Sequence, residues 1–376
     1  MKSVIGGVGV EYDFAVKIAK TNQNACSTRP HLAHFWDLIS SAGSRVSGMR
    51  NKPEHLGDET RSVFRYRKNR LRVKSIFAAA AWILLAVPAS PASGEVLIPA
   101  YQPRLPFSTV FKGKDKFDRL VAKAVREDWR SLPIGERTAR VGQALLGTPY
   151  VNYTLELDDR IESPSANFNG LDCWTFYEVS LAFARMLRVK DGGYRPEDLL
   201  ALIELERYRD GHCTGSFLSR MHFLEEVFAN NGARGLSVNP TSQMGGVRLI
   251  RNITEMTAAW KSYRYLHHNP GLLPEMARIQ DRVSSLPVYH IPRDRVAGAE
   301  RLIQTGDIIA ITSRDKSGYT SHVGIAVRKP DGVHFMHSTS RRSSGHRVIL
   351  DGRVSDFLNR SNDHYGIIVY RPLDVR

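Results

Sequence analysis

Gly-Leu-Asp-Cys-Trp-Thr-Phe-Tyr-Glu (170–178) reads as the start of a helix, with Cys173 in its first turn. Phe176, Val179, Phe183 and Leu187 follow at spacings of three and four, the stripe of a helix packed on a core, and the pattern stops before Asp191-Gly192-Gly193. A helix N-terminus offers a positive dipole end and backbone N–H groups without helical partners, and both favour the thiolate, the reactive form of cysteine. Far downstream, Ser-His-Val-Gly-Ile-Ala-Val (321–327) reads as a strand that opens on His322. A lone cysteine on an amphipathic helix is more often an inert buried thiol, and a lone histidine more often a surface group. Placement at a helix start and the presence of both motifs in one chain reverse those expectations and point to a cysteine nucleophile with a histidine base.

The segments around these motifs set the fold class. Residues 117–129 and 136–146 carry apolar positions at helical spacing, and Gly147-Thr148-Pro149-Tyr150 breaks the pattern. Residues 151–170 are loop-like, rich in Asn, Ser, Asp and Gly. Further helices are predicted at 196–209, 219–230, 253–266 and 273–285, interrupted by a loop around Gly232–Gly246. From Gly306 the texture changes to short β-branched runs at 307–312, 323–327, 333–337, 347–350 and 366–370, which fit an antiparallel meander. The expected class is α+β, helices first and strands last, with a helical insertion over about 190–300.

The 376 residues hold 53 Lys+Arg against 38 Asp+Glu, a balance that by itself suggests a nucleic-acid binder. Its distribution argues otherwise. Residues 1–74 contain 14 Lys+Arg and 6 Asp+Glu, leaving 39 and 32 for the remainder, so much of the excess sits in the head. No recognised nucleic-acid motif accompanies it, and a modest positive surface suits other anionic polymers equally well. A basic run, Arg61 to Lys74, is followed by the uncharged Ser-Ile-Phe-Ala-Ala-Ala-Ala-Trp-Ile-Leu-Leu-Ala-Val-Pro (75–88) and then by Ala89-Ser90-Pro91-Ala92-Ser93-Gly94. Basic, then apolar, then small is the layout of a secretory signal peptide, with cleavage after Ala92 or Gly94. A membrane anchor with a basic cytoplasmic tail is the competing reading, disfavoured by the short apolar run. Residues 1–60 show no sustained period and read as a disordered extension or the product of an over-long start, with Met49 an internal candidate. The organisation expected is thus 1–60 extension, 61–94 leader and 95–376 a single domain, in a periplasmic or secreted protein with no stable membrane insertion after cleavage.

Removal of the head leaves Cys173 and Cys213, too few for a disulfide-built scaffold. A bridge between them would block the nucleophile. His212 and Cys213 are adjacent but lack the paired spacing of a structural zinc site, so no metal is expected.

Six strings occur in one order: Leu-Gly-Thr-Pro-Tyr (146–150), Leu-Asp-Cys-Trp-Thr-Phe-Tyr-Glu (171–178), Ser-Arg-Met-His-Phe (219–223), Gly-Asp-Ile-Ile-Ala (306–310), Ser-His-Val-Gly-Ile-Ala (321–326) and His-Ser-Thr-Ser (337–340). Over roughly 136–372 that order resembles the papain-like NlpC-type cell-wall hydrolases, in the branch called N-acetylmuramoyl-L-alanine amidase-like. Trp174 and Tyr177 depart from the aliphatic residues expected of the family, and Cys213 stands in an otherwise familiar segment. The resemblance implies a nucleophile helix packed on a small antiparallel sheet, secretion to the wall compartment, and peptidoglycan or muropeptides as substrate. It matches Cys173 to the nucleophile, His322 to the base and His337 to the residue that orients the base. Strand parity agrees on the last: a two- or four-residue loop near Lys329–Gly332 puts His337 on the face of His322 and His334 on the other, and an odd loop reverses the choice.

Four supporting residues follow. Tyr150 matches a family tyrosine near the site and is a candidate oxyanion donor, or else a packed loop residue. Asp172 is a substrate contact or, with better prior, a plain N-cap. Arg220 and His222 are candidates for lining the groove or for structural pairing. The implied reaction needs no metal or organic cofactor. Cleavage of the bond between N-acetylmuramic acid and L-alanine is expected, with a γ-D-glutamyl-diamino acid endopeptidase and a non-catalytic wall-binding module as the alternatives.

Overall fold

Punctuation by glycine and proline divides the first half of the chain into helices. The computed structural model describes residues 98 and 100–375, so the leader and the extension expected over 1–94 lie outside the described residues. Among the described residues no helix is long and apolar enough to cross a membrane. α1 (Lys114–Arg126) buries Phe117, Leu120 and Ala124, and α2 (Ile134–Ala144) buries Ala139 and Val141. α3 (Cys173–Val189) differs in kind, since every residue from Thr175 to Leu187 is buried.

A helix enclosed on all sides is normally apolar all round, yet α3 carries Glu178 and Arg185 into the interior. The neighbouring α4 (Pro196–Arg207), started by Pro196 and by Asp198 accepting the Arg195 N–H at 2.7 Å, supplies their partners. Arg207 Nε donates to both Glu178 oxygens at 3.0 Å, and Arg207 also reaches Ser165 through its Oγ at 3.1 Å and its carbonyl at 2.9 Å. Arg185 pairs with Glu206, whose second oxygen accepts the Tyr370 hydroxyl at 3.0 Å, and donates to the Leu236 carbonyl at 2.7 Å. All four charged side chains are sealed from water.

Three short strands occur where helices and the loop around Gly232–Gly246 were expected: β1 (Ser237–Val238), β2 (Val247–Arg248) and β3 (Tyr289–Pro292). They are interleaved with α5 (Leu224–Ala233) and α6 (Leu273–Ser285), and α7 (Arg293–Ala299) comes after them. The helix expected over 253–266 is broken into Glu255–Ala258, a 3₁₀ turn at Trp260–Ser262 and Arg264–His268. Tyr263 sits there in extended conformation with its ring buried, so helical apolar spacing persists across a chain that is not continuously helical.

β4 (Ile308–Ser313), β5 (Thr320–Lys329), β6 (Gly332–Ser338) and β7 (Val348–Arg353) form the antiparallel meander, α8 (Val354–Leu358) follows, and β8 (His364–Pro372) ends the sheet. β8 does not extend the meander past β7. It returns to lie between β3 and β4, giving the order β2-β3-β8-β4-β5-β6-β7 with β1 paired to the end of β8. In that position the apolar run Ile367–Tyr370 pairs along its length with β4, and its start, Gly366–Ile367, also pairs with β3. The sheet is buried on both faces: Ile308, Ala310, Val323 and Ile325 join the core under α3, while Ile309, Ile311, Ala326 and Phe335 join a second core with Val296 of α7 and Phe357 of α8. That double burial is why these strands read as continuous apolar runs. Gly306, at φ +85°, seats the turn entering β4 against α2, where a Cβ would come within 2.2 Å of the Gly135 backbone.

Arg207→Met should cost about 3–5 kcal/mol in urea denaturation, because it strands the Glu178 charge in the core. Adding Glu178→Leu should restore much of that loss. Equal instability of single and double variants would show that the pair is not what holds α4 to α3.

Candidate active site

The first turn of α3 is fixed by a reciprocal cap. Asp172 Oδ1 accepts the Thr175 backbone N–H at 2.7 Å and its hydroxyl at 2.9 Å, while Thr175 Oγ1 accepts the Asp172 N–H at 3.0 Å. Asp172 is completely buried, and burial raises its carboxyl above the usual range against the opposing bonds from Thr175 and Thr154. It is the N-cap, and it is not among the side chains lining the cleft described below. Cys173 therefore begins the helix, where the first N–H groups have no helical acceptors.

Cys173 and His322 line the same cleft, which lies between the start of α3, the segment 217–225 and the start of β5. By strand alternation His322 points away from α3, since Val323 and Ile325 fill the core on the helix side. A bulge resolves the difference. Ile311 pairs with His322 and Thr312 with Thr320, so Ser321 is an extra residue on β5 immediately before His322. Bulges bend a strand and re-aim its side chains.

β5 and β6 are joined by a two-residue turn, with Lys329 opposite Gly332. That even loop puts His337 on the face of His322, and the two imidazoles meet, His322 Nε2 to His337 Nδ1, at 2.7 Å. Gly324 makes the contact sterically feasible, because a Cβ there would lie 2.9 Å from His337 Cβ and 2.7 Å from the Phe335 ring. Phe335 and Phe357 wall the pair, with ring centroids 5.7 and 5.8 Å from that of His322. His334 faces the other way, its Nδ1 bonded to the Asp351 carbonyl at 2.9 Å and its Nε2 to Asp331 at 3.0 Å.

Sequence reasoning missed the next link. Asp351, on β7, contacts His337 Nε2 through Oδ2 at 3.4 Å and is held bidentately by Arg360 at 2.6 and 2.7 Å. Burial opposes its charge, but the bonds from His337 and Arg360 outweigh it and hold the carboxyl well below the ordinary carboxylate range. A carboxylate accepts only, so His337 presents Nε2–H to it and accepts at Nδ1. His322 then donates from Nε2 to His337, which leaves Nδ1 as its proton-accepting nitrogen. Asp351 sits where the β6–β7 register shifts between His334 and Met336, so Asp351 and Gly352 stand opposite Phe335 alone.

The other candidates are distributed unevenly. Tyr150 bridges to Leu171 and packs edge-on against His346 at 5.2 Å, and it does not line the cleft. Arg220 and His222 both do. Arg220 is committed to Glu162 at 3.2 Å, and Glu162 also accepts the Tyr208 hydroxyl at 2.8 Å. His222 bonds the Phe217 carbonyl at 2.9 Å, and enclosure together with the Arg220 and Arg209 guanidiniums holds its imidazole well below its ordinary value, so it is neutral at pH 7. Cys173 and Cys213 are both free thiols, so the bridge weighed above is not formed. Cys213 is buried against the Glu162 carbonyl, and burial pushes its thiol up, away from reactivity. Among the described residues no group of three or more His, Cys, Asp or Glu side chains is arranged to hold a metal ion.

Asp351 gives a pH signature. Its folded carboxyl is depressed, so its stabilisation is complete above the unfolded value of about 3.9 and fades as pH falls from there toward the folded one. Wild type should exceed Asp351→Asn by about 1–3 kcal/mol at pH 7, and thermal scans should show that gap narrowing below about pH 4. A gap constant down to pH 3 would show that the carboxylate charge is not what binds Arg360 and His337.

The comparisons with known proteins fall on this region. The family described as AmiA-like, N-acetylmuramoyl-L-alanine amidase-like, matches residues 140–367, more than half of the chain and the whole stretch from Tyr150 to Arg360. An N-acetylmuramoyl-L-alanine amidase of Bacteroides uniformis is 26% identical with a TM-score of 0.59, the match covering 64% of this chain and 99% of that one. A Bacteroides fragilis structure is 28% identical with a TM-score of 0.56, over 62% of this chain and 99% of its own. A Legionella pneumophila protein, 16% identical with a TM-score of 0.51 over 69% of this chain and 95% of its own, shares the fold. No curated protein matches. The chain belongs to the N-acetylmuramoyl-L-alanine amidase-like family.

Proposed function

We propose that this chain is a papain-like, NlpC-type cysteine hydrolase that cleaves the amide bond between N-acetylmuramic acid and L-alanine, with Cys173 as nucleophile, His322 as base and His337 as the residue that orients it. The observation that carries the reading is one cleft lined by a cysteine at a helix start and by a histidine whose second nitrogen is bonded to another histidine. In this reading His322 Nδ1 takes the thiol proton and the thiolate attacks the amide carbonyl. Backbone N–H groups of the first turn of α3 hold the oxyanion, a contribution of about 10²–10³ in rate per donor. The imidazolium then protonates the departing amine, and water hydrolyses the thioester. Proton transfer of this kind contributes about 10²–10⁴.

The bond assignment rests on the amidase-like family and on the cleft. In this reading the lactyl-sugar end and the first stem residues enter the cleft beside Cys173 and His322. Apolar walls from Phe217, Met221, Phe223 and Met256 favour a restricted fit. Export to the periplasm or medium is part of the proposal, supported by the basic, apolar and small-residue order of 61–94. N-terminal sequencing of the exported chain should read from close to Ser93 or Glu95, and a product retaining 60–90 in a membrane fraction would favour an anchor instead.

Cys173→Ala should abolish hydrolysis of a defined muropeptide with the fold intact, and Cys213→Ser should keep most of it. Mass spectrometry should find an intact stem peptide with a free L-alanine amine and a peptide-free sugar. Recovery of a sugar still carrying L-alanyl-D-glutamate, with the diamino acid portion released, would establish the endopeptidase alternative. Among the histidines, His337→Ala should reduce kcat far more than His334→Ala, by a factor of at least about 10². Comparable losses from the two would remove the orienting role of His337.

A further inference from the structure

One buried carboxylate in the cleft has no use in the chemistry above. Glu225 lies in the first turn of α5, where its neighbour Glu226 turns outward to Arg209. Glu225 turns inward and is 4% exposed, yet it lines the cleft that holds Cys173 and His322. Its carboxyl interacts with Thr320 and with its own backbone N–H, and Oε1 has no hydrogen-bond partner. An acceptor left bare in a buried site costs about 1–3 kcal/mol, more for a charged group.

The surroundings say what would relieve it. Glu156, Glu255 and Asp315 also line the cleft, whereas its arginine, Arg220, is bound to Glu162 and its His222 is neutral. The field therefore favours a cation. Leu155, Met221, Phe223 and Met256 supply apolar wall, which suits an aliphatic stem leading to the charge.

We infer that Glu225 is a substrate-binding residue whose carboxylate receives a primary ammonium on an aliphatic stem, the side-chain amine of the diamino acid in the stem peptide. This rests on the reading of muropeptides as the ligand. In a muramyl peptide the alanine nitrogen is acylated, so the diamino acid carries the available ammonium. A free stem peptide offers the same chemistry from its α-amine, and the experiment separates the two.

Calorimetric titration of the Cys173→Ala protein uses a muramyl tripeptide ending in a diamino acid, the same compound acetylated on its side-chain amine, and a free tripeptide bearing only its α-ammonium. Burial pushes the Glu225 carboxyl up to about 7, so the first ligand should bind about tenfold more tightly at pH 8 than at pH 6 as the carboxylate forms. Glu225→Gln should remove that pH dependence and weaken binding about tenfold at pH 8. The acetylated compound should bind weakly at both pH values with or without the substitution. If that substitution unfolds the protein, the comparison of the two muramyl ligands on unsubstituted Glu225 still decides. Equal binding of those two ligands, unchanged affinity in Glu225→Gln, or Glu225 dependence confined to the free tripeptide would each overturn the inference. Absence of muramyl-alanine cleavage by the unsubstituted enzyme, with Glu225-dependent binding intact, would overturn the amidase reading alone.

Discussion

A helix enclosed on every side has to bring its polar partners with it, and α3 does so at three points. Asp172 and Thr175 fix where it begins, Glu178 is clamped by Arg207, and Arg185 is matched to Glu206. Buried ion pairs add little net stability against an apolar substitute, but an incomplete one is severely destabilising. Their effect here is selective. A slip of α3 against α4 would separate both pairs at once, so the register that satisfies them is also the one that delivers Cys173 to the cleft. Placement of the thiol is thus a consequence of charges sealed several residues away from it.

The sheet positions the histidines by a different rule, the two-residue alternation of a strand. An even turn between β5 and β6 aligns His337 with His322, and Asp351 joins them from β7 at a register shift in the β6–β7 ladder. Alternation alone would leave His322 on the side away from α3. The extra residue at Ser321 is the local departure that accompanies its access to the cleft. Gly324 fits the same logic, because the position facing His337 tolerates no side chain.

How much of this was legible in the sequence depended on the range of the interaction. The meander strands and the helix start were readable because β-branched runs and an Asp-x-x-Thr cap are local signals. The choice of His337 over His334 came from the family resemblance, because parity depended on a turn length that the sequence left open and that the structure gives as two residues. Insertion of β8 between β3 and β4 was not, since nothing in Ile367–Tyr370 distinguishes a central strand beside β4 from one beside β7. The strands within 190–300 were hidden by their length, two residues in β1 and β2, which gives no period to read. Glu225 was overlooked because it lies inside a stretch whose apolar neighbours Leu224, Val227 and Phe228 read as helical core, and a charged residue there looks solvent-facing until the fold turns it inward.

The carboxylate at the far end of the histidine pair has a consequence for the near end. Arg360 and the Gly352 N–H keep Asp351 ionised, and an ionised Asp351 sets the proton on His337 Nε2. That choice passes through the 2.7 Å contact and leaves His322 with an accepting nitrogen at Nδ1. If a proton arrives at Nδ1, the resulting imidazolium still donates to His337 from Nε2, so protonation there requires no rearrangement of the chain behind it. The negative end of the series then stabilises the cation by its field, as a buried carboxylate does for any imidazolium it orients. Arg360 moderates this, because a carboxylate already shared with a guanidinium attracts a second cation less strongly. What the arrangement fixes is orientation: the bond to His337 holds His322 in one tautomer.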